Sequence, residues 1–305
     1  MRHAVTGLCL AFAFTAAAAG PPTVIHAGRM IDGIADRPAT EVTLVVEGGR
    51  IRSIEPGYRP PAPGERYVDL RGATVLPGLM DMHTHVTSEH SRSTELERYR
   101  KSEADVALDG VVFAERTLQA GFTTIRDLGD RFQASVALRN AIGAGRIAGP
   151  RIYTSAKSIA TTGGHPHPTK GDPRPPRQAP REPGARRRGR HRPDPCREAV
   201  RARYREGADV IKVTATGGVL SIARSGQAPQ FTDEELAAIV ATARDYGLTV
   251  AAHAHGTEGI RRAVRAGVHS IEHGTFMDDE TMKLMRQKGI WYVPTISAGR
   301  WVFDQ

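Results

Sequence analysis

Two histidines spaced two apart, His83 and His85, close the run Gly78-Leu79-Met80-Asp81-Met82-His83-Thr84-His85, which follows a turn at Leu76-Pro77. On a strand, residues i and i+2 share a face. One strand end can therefore offer both imidazoles to a single metal, and imidazole suits zinc and its first-row neighbours. Alone, the pair also fits two satisfied polar residues at a strand end. Other residues extend it: His253 and His273 each close a strand-like run, and Lys212 lies inside Val210-Ile211-Lys212-Val213. A lysine there either points outward under a helix or occupies a buried site that lowers its pKa. A deprotonated lysine can add carbon dioxide, giving a carbamate whose two oxygens could bridge two cations. His255, two residues beyond His253, either reaches the same mouth or sits in a partly exposed loop.

The elements that position these groups alternate. Helical periodicity spans Glu103–Gln119, 134–144, 233–246, Thr257–Ala266 and 278–288, with a capping-box pattern at Thr232-Asp233-Glu234-Glu235 and a glycine stop at Gly247. Strand-like runs cover 121–127, 150–154, 208–213, 248–253, 269–273 and 290–293. Strands alternating with helices imply βαβ units and a parallel sheet. Counting the run that ends at His83 there are seven strands, and a closed barrel of this kind needs eight. The candidate groups fall where such a barrel places chemistry, at the C-terminal strand ends: His83 and His85 on the first strand, Lys212 on the fourth, His253 on the fifth, His273 on the sixth.

Residues 20–77 read as a separate small β domain, with strands at 22–33, 42–47, 50–54, 67–70 and 73–76 and Gly48-Gly49 as a turn. Residues 1–19 read as a secretory signal: Arg2 and His3, then an uncharged apolar stretch, then Ala16-Ala17-Ala18-Ala19-Gly20. The apolar stretch is too short for a membrane span. Cys9 would leave with the signal, so Cys196 remains alone and no disulfide framework is expected. The mature protein is expected to be exported, periplasmic or secreted.

The net charge of +9 does not describe a binding face, because residues 165–198 hold nine Arg and one Lys against four acids. The same segment holds nine Pro and only Ala179, Ala185 and Cys196 as apolar residues. No helix or strand, and no core residue, is expected there. A basic arm for nucleic acid or acidic lipid is one reading, but interleaved aromatics are lacking. The preferred reading is a disordered or frame-shifted stretch, with no nucleic-acid partner and no membrane partner after signal cleavage.

The set Asp81-Met82-His83-Thr84-His85, Asp209-Val210-Ile211-Lys212, Ala252-His253-Ala254-His255-Gly256 and Ser270-Ile271-Glu272-His273-Gly274-Thr275 resembles the amidohydrolase superfamily. More closely, it is similar to the imidazolonepropionase-related, prolidase-like metallodipeptidases. The resemblance implies an α/β fold, a (β/α)8 TIM-type barrel with a small β-sandwich, here lacking the eighth strand. It implies two zinc ions, one on His83 and His85, the other on His253 and His273, bridged by a carboxylated Lys212. A metal-bridging hydroxide would attack the scissile carbonyl. His165, in Thr161-Thr162-Gly163-Gly164-His165, matches a family histidine that contacts that carbonyl. His255 stands where relatives often carry a Tyr that grips the substrate carboxylate.

The family's eighth strand ends in a metal-binding, proton-shuttling Asp. Residue numbering stops at Gln305 before that strand, and Asp304 does not fit the motif. The expected activity is hydrolysis of C–N bonds in a small-molecule substrate, a dipeptide (Xaa-Pro or related) or an N-acyl amino acid, with room for an oligomer. The alternative is a catalytically dead, poorly soluble amidohydrolase fragment.

Overall fold

The computed structural model describes residues 20–91, 93–165, 194–218 and 225–304. The chain divides between Pro77 and Gly78 into two units. The signal-like residues 1–19, and 166–193 of the Arg- and Pro-rich segment, lie outside the described residues.

In the first unit, β1 (Thr23–Met30), β2 (Ala39–Glu47), β3 (Arg50–Pro56) and β4 (Arg66–Val75) form one sheet in the order β3-β2-β1-β4. Gly48 and Gly49 turn β2 into β3 with φ of 57° and 75°, a left-handed pair that glycine adopts without Cβ strain. Ala27, Met30, Val42 and Leu44 form one core cluster of the sheet. The expected strands 67–70 and 73–76 are one strand: β4 runs parallel to β1 throughout, with a register shift between Ala27 and Arg29 that accommodates Arg71 to Ala73 as a bulge. Gly28 lies so close to that bulge that a Cβ would stand 2.0 Å from the Arg71 carbonyl oxygen. Of the expected sandwich, a single sheet is present among the described residues.

The second unit begins with β5 (Leu79–Thr84), α1 (Thr94–Arg100), α2 (Glu103–Gln119), β6 (Phe122–Asp127), α3 (Ala134–Gly143) and β7 (Arg151–Thr154). It continues with α4 (Asp194–Arg205), β8 (Val210–Thr214), α5 (Asp233–Asp245), β9 (Thr249–Ala254) and α6 (Thr257–Ala266). The last elements are β10 (Ser270–His273), α7 (Asp279–Lys288), β11 (Trp291–Val293) and α8 (Ile296–Phe303). All strand pairings in this unit are parallel, in sheets ordered β5-β6-β7 and β8-β9-β10-β11. Ile159 joins the two: its N–H donates to the Lys212 carbonyl at 2.7 Å, and its carbonyl accepts from Thr214 N–H at 3.2 Å.

Side-chain alternation then sorts the strands. Ile211, Val213, Val250, Ala252 and Ile271 join one core cluster with Val200, Leu236, Ile239, Ile260 and Val264 from the helices. Ile125 and Ile152 pack with Ala114 and Leu138 in another. The opposite faces carry Arg126, Lys212, His253, Ser270 and Glu272. A flat array would hold β6 and β10 about 19 Å apart, at four strand spacings of about 4.8 Å. Arg126 Nη2 is nevertheless 2.8 Å from Glu272 Oε1. The array is therefore curled, with these polar faces inside. Among the described residues it closes no ring, because β5 and β11 each pair on one side only. Those edges leave large apolar residues exposed, Met80 at 67% and Trp291 at 67%.

Two corrections concern helices. Residues 194–198, read as incapable of helix, form the first turn and more of α4, and Cys196 enters the core against Ala199 and Val200. Pro195 is tolerated because first-turn N–H groups have no helical acceptor to lose. α1 and α8 were not expected; each ends on an acid–base pair one turn apart, Glu97–Lys101 and Arg300–Asp304, both at 2.8 Å. Asp304 thus caps a helix. The Thr232 capping box is present, with Thr232 Oγ1 accepting from Glu235 N–H and Glu235 accepting from Thr232 N–H. Thr232→Ala is expected to cost about 1 kcal/mol in urea unfolding; an unchanged midpoint would show that the box contributes nothing. No helix among the described residues is long and apolar enough to cross a membrane.

Candidate metal centre

Five imidazoles and one lysine from β5, β8, β9 and β10 converge at the C-terminal ends of the strands. The ring centroids of His83 and His85 are 5.5 Å apart, and those of His83 and His273 are 4.8 Å apart. His253 lies 4.6 Å from His273 and 4.7 Å from His255, and His255 stacks on His273 at 4.9 Å. One ligand atom from each of His253, His255 and His273 falls within 4.8 Å of the others. His255 therefore stands with the metal-competent imidazoles. His165 belongs to the same group, its ring 4.6 Å from that of His253 and its backbone N–H bonded to Gln230 Oε1 at 3.0 Å. Gly218 makes room for it, since a Cβ there would stand 2.7 Å from the His165 ring.

Local backbone geometry aims the groups. In β9, Val250, Ala252 and Ala254 go to the helices, so His253 points inward with Ala251. At the end of β10, His273 takes φ 70° and Gly274 φ 59°. A left-handed conformation is uncommon for a non-glycine residue and re-aims the ring at the strand end. Tyr292 hydroxyl holds the His273 carbonyl at 2.9 Å.

Most of the rings have one nitrogen committed to an oxygen acceptor. His85 Nδ1 donates to the Gly129 carbonyl at 2.8 Å, and His253 Nε2 donates to the Gly217 carbonyl at 2.9 Å. His83 Nδ1 lies 2.9 Å from the carboxylate of Glu272. His273 Nδ1 donates to Thr295 Oγ1 at 2.8 Å, because that hydroxyl already gives its proton to the Pro294 carbonyl. Each commitment fixes a tautomer and leaves the other nitrogen as a lone-pair donor. His255 Nδ1 shares a 2.7 Å bond with Thr275 Oγ1.

Electrostatics favours the same state. Burial pushes His83, His85, His253 and His255 below the ordinary histidine range, and the Lys212 charge adds to it. Burial, then the neighbouring His83, brings His273 down to about 2. Neutral imidazole is the form that binds metal. Lys212 is 3% exposed, and no hydrogen bond or ion pair to its amine occurs among the described residues. Burial lowers its pKa to about 8, opposed by the Glu272 charge. An amine that burial pushes toward its neutral form, set amid neutral imidazoles, makes a nitrogen-rich donor set of the kind first-row metals take. The residues present therefore fit a metal centre.

Three residues at the site were not singled out from sequence. Glu272 is fully buried between His83 and Arg126. Arg126, 7% exposed, also donates to the Met82 carbonyl at 2.7 Å, just before His83. Asp127 accepts from Val86 N–H at 2.6 Å, and burial raises its pKa to about 8. The signal available was a set of charged residues inside otherwise buried strands.

The chain is similar to several known proteins. The family model for the amidohydrolase family matches residues 74–301. The chain is 33% identical to ochratoxinase from Aspergillus niger over 293 residues, which is 90% of this chain and 59% of that protein. It is 38% identical to imidazolonepropionase from Pseudomonas entomophila over 97 residues, 32% of this chain and 22% of that one. Among solved structures, a Xaa-Pro dipeptidase with methionine bound in its active site superposes with a TM-score of 0.85 at 47% identity, covering 93% of this chain and 69% of that chain. The chain thus spans 59% of the length of the ochratoxinase it matches. By its matched span, the chain belongs to the amidohydrolase family.

Proposed function

We propose that this unit is a metal-dependent hydrolase of C–N bonds that acts on dipeptides, of Xaa-Pro or related type, or on N-acyl amino acids. The observation that carries this reading is the convergence of neutral, tautomer-fixed imidazoles around the buried side chain of Lys212. His83, His85, His253 and His273 would hold two zinc ions, with Lys212 between them. Zinc so held supplies Lewis acidity toward a carbonyl and lowers the pKa of water. The neutral amine of Lys212 could add to carbon dioxide, forming an N–C bond as a C=O π bond opens and one proton is released, and the carbamate would then supply oxygen ligands for the metals. His165, beside His253, donates a hydrogen bond to the scissile carbonyl. His255, held by Thr275, sits where it meets either the substrate carboxylate or a metal. The Xaa-Pro dipeptidase and the ochratoxinase similarities support the substrate class. Export after loss of residues 1–19 belongs to the same reading, and N-terminal sequencing of the secreted or periplasmic protein tests it.

The test is hydrolysis of a panel of dipeptides and N-acyl amino acids with zinc and bicarbonate added, and again after chelation. Zinc-dependent turnover is expected. A competing reading is a unit that binds metal without turnover, and the exposed apolar edges of β5 and β11 favour it. Bound zinc with no hydrolysis of any substrate would select it; neither binding nor hydrolysis would defeat both. A finer check is Gly218→Ala, whose methyl group must displace the His165 ring. Misplacement by about 1 Å can cost about 10²-fold in rate, so kcat/KM is expected to fall by that order with zinc content unchanged. Unaltered kcat/KM would remove His165 from the reaction.

A further inference from the structure

Glu272 is fully buried near the site, and the proposed chemistry gives it no part. Its Oε2 lies 2.9 Å from His83 Nδ1. Its Oε1 accepts from Arg126 Nη2 at 2.8 Å and from Ser270 Oγ at 2.5 Å. Arg126 adds bonds to Ser270 Oγ at 3.1 Å and to the Met82 carbonyl at 2.7 Å. Both carboxylate oxygens are therefore engaged, and the guanidinium holds the backbone immediately before the histidine that the carboxylate holds by its ring.

From this geometry we infer that Glu272 and Arg126 form a positioning pair for His83. Glu272 fixes the Nδ1–H tautomer and the ring plane, so that Nε2 faces His273 and Lys212, and Arg126 fixes Glu272 and the end of β5. A carboxylate behind an imidazole also makes the far nitrogen a better donor, and loss of such a partner typically lowers metal affinity about 10–100-fold. The pair has a second consequence. β5 and β6 pair with each other while β10 lies in the other sheet, so this network ties His83 to the sheet that carries His253 and His273. The inference rests on the proposed metal centre, and its test separates the two.

The test uses the whole chain and zinc as the probe. Glu272→Gln leaves Arg126 buried without a counter-charge and could fail to fold, so the double variant R126M/E272Q, which removes both charges, is measured beside it. In the parent, zinc binding is expected to be lost in part on His83→Ala. In R126M/E272Q, zinc affinity is expected to fall about 10–100-fold. Nitrogen-15 spectra of histidine in the metal-free parent are expected to show His83 as the Nδ1–H tautomer, and the double variant to show it mixed. A general packing role would leave that signature unmoved. A parent that binds no zinc would overturn the metal centre itself. A parent that binds zinc while the double variant binds it equally well would overturn the positioning pair alone. An Nε2–H tautomer of His83 in the parent would overturn the pair whatever the variants do.

Discussion

Lys212→Met is expected to lower hydrolysis by about 10³-fold or more, because the residue proposed to join both metals is removed and metal polarisation is worth several kcal/mol of barrier. The same change should not destabilise the fold. Lys212 lies in β8 between Ile211 and Val213, all three buried, and no hydrogen bond to its amine occurs among the described residues. Methionine keeps the length of the side chain and removes a charge that burial disfavours. Activity and thermal stability are therefore expected to move apart. Kinetic assays at saturating zinc, with thermal unfolding of the same preparations, check it. Activity within tenfold of the parent would exclude Lys212 from the chemistry, and a large loss of stability would show that the amine has a structural partner.

Arg126→Met is expected to have the opposite profile. The guanidinium is the counter-charge of fully buried Glu272, and the pair is 9% and 0% exposed at its side chains. Removing one member of a buried pair strands the other, at a cost of about 3–5 kcal/mol. For a chain of this size that lowers the unfolding midpoint by about 10 °C. Adding Glu272→Gln to the same chain should restore much of the loss, since coupled neighbours are not additive and the stranded charge is gone. Urea unfolding of the two single variants and the double one measures the coupling. A cost below about 1 kcal/mol for the single variant would put the pair in the range of solvated surface bridges.

Much of this was legible in the chain itself. Alternation of apolar runs with glycine and capping signals located the strands from Phe122 to Val293 and, α4 apart, the helices between them, because each is an independent amphipathic unit. The histidines were legible because His83, His253 and His273 all end such runs. The partners Glu272 and Arg126 were not, because their meaning depends on a curl that brings β6 and β10 together, and no local pattern encodes it. α4 was missed for a different reason. Its composition was averaged with the Arg- and Pro-rich stretch before it, although Cys196 stands at a core position with Ala199 and Val200. In β4 the reverse happened: 67–70 and 73–76 read as two strands, whereas they are one, with Gly72 in a bulge within it. α1 and α8 carry few buried residues, so neither offered a periodic face to read.

The most direct test is where zinc sits. Crystals of the chain soaked in zinc, measured on both sides of the zinc absorption edge, give an anomalous difference map that owes nothing to activity. The expected result is density enclosed by His83, His85, Lys212, His253 and His273, as two peaks bridged at Lys212. A map with no peak there, or with zinc bound only elsewhere, would contradict the metal centre and the hydrolytic function built on it.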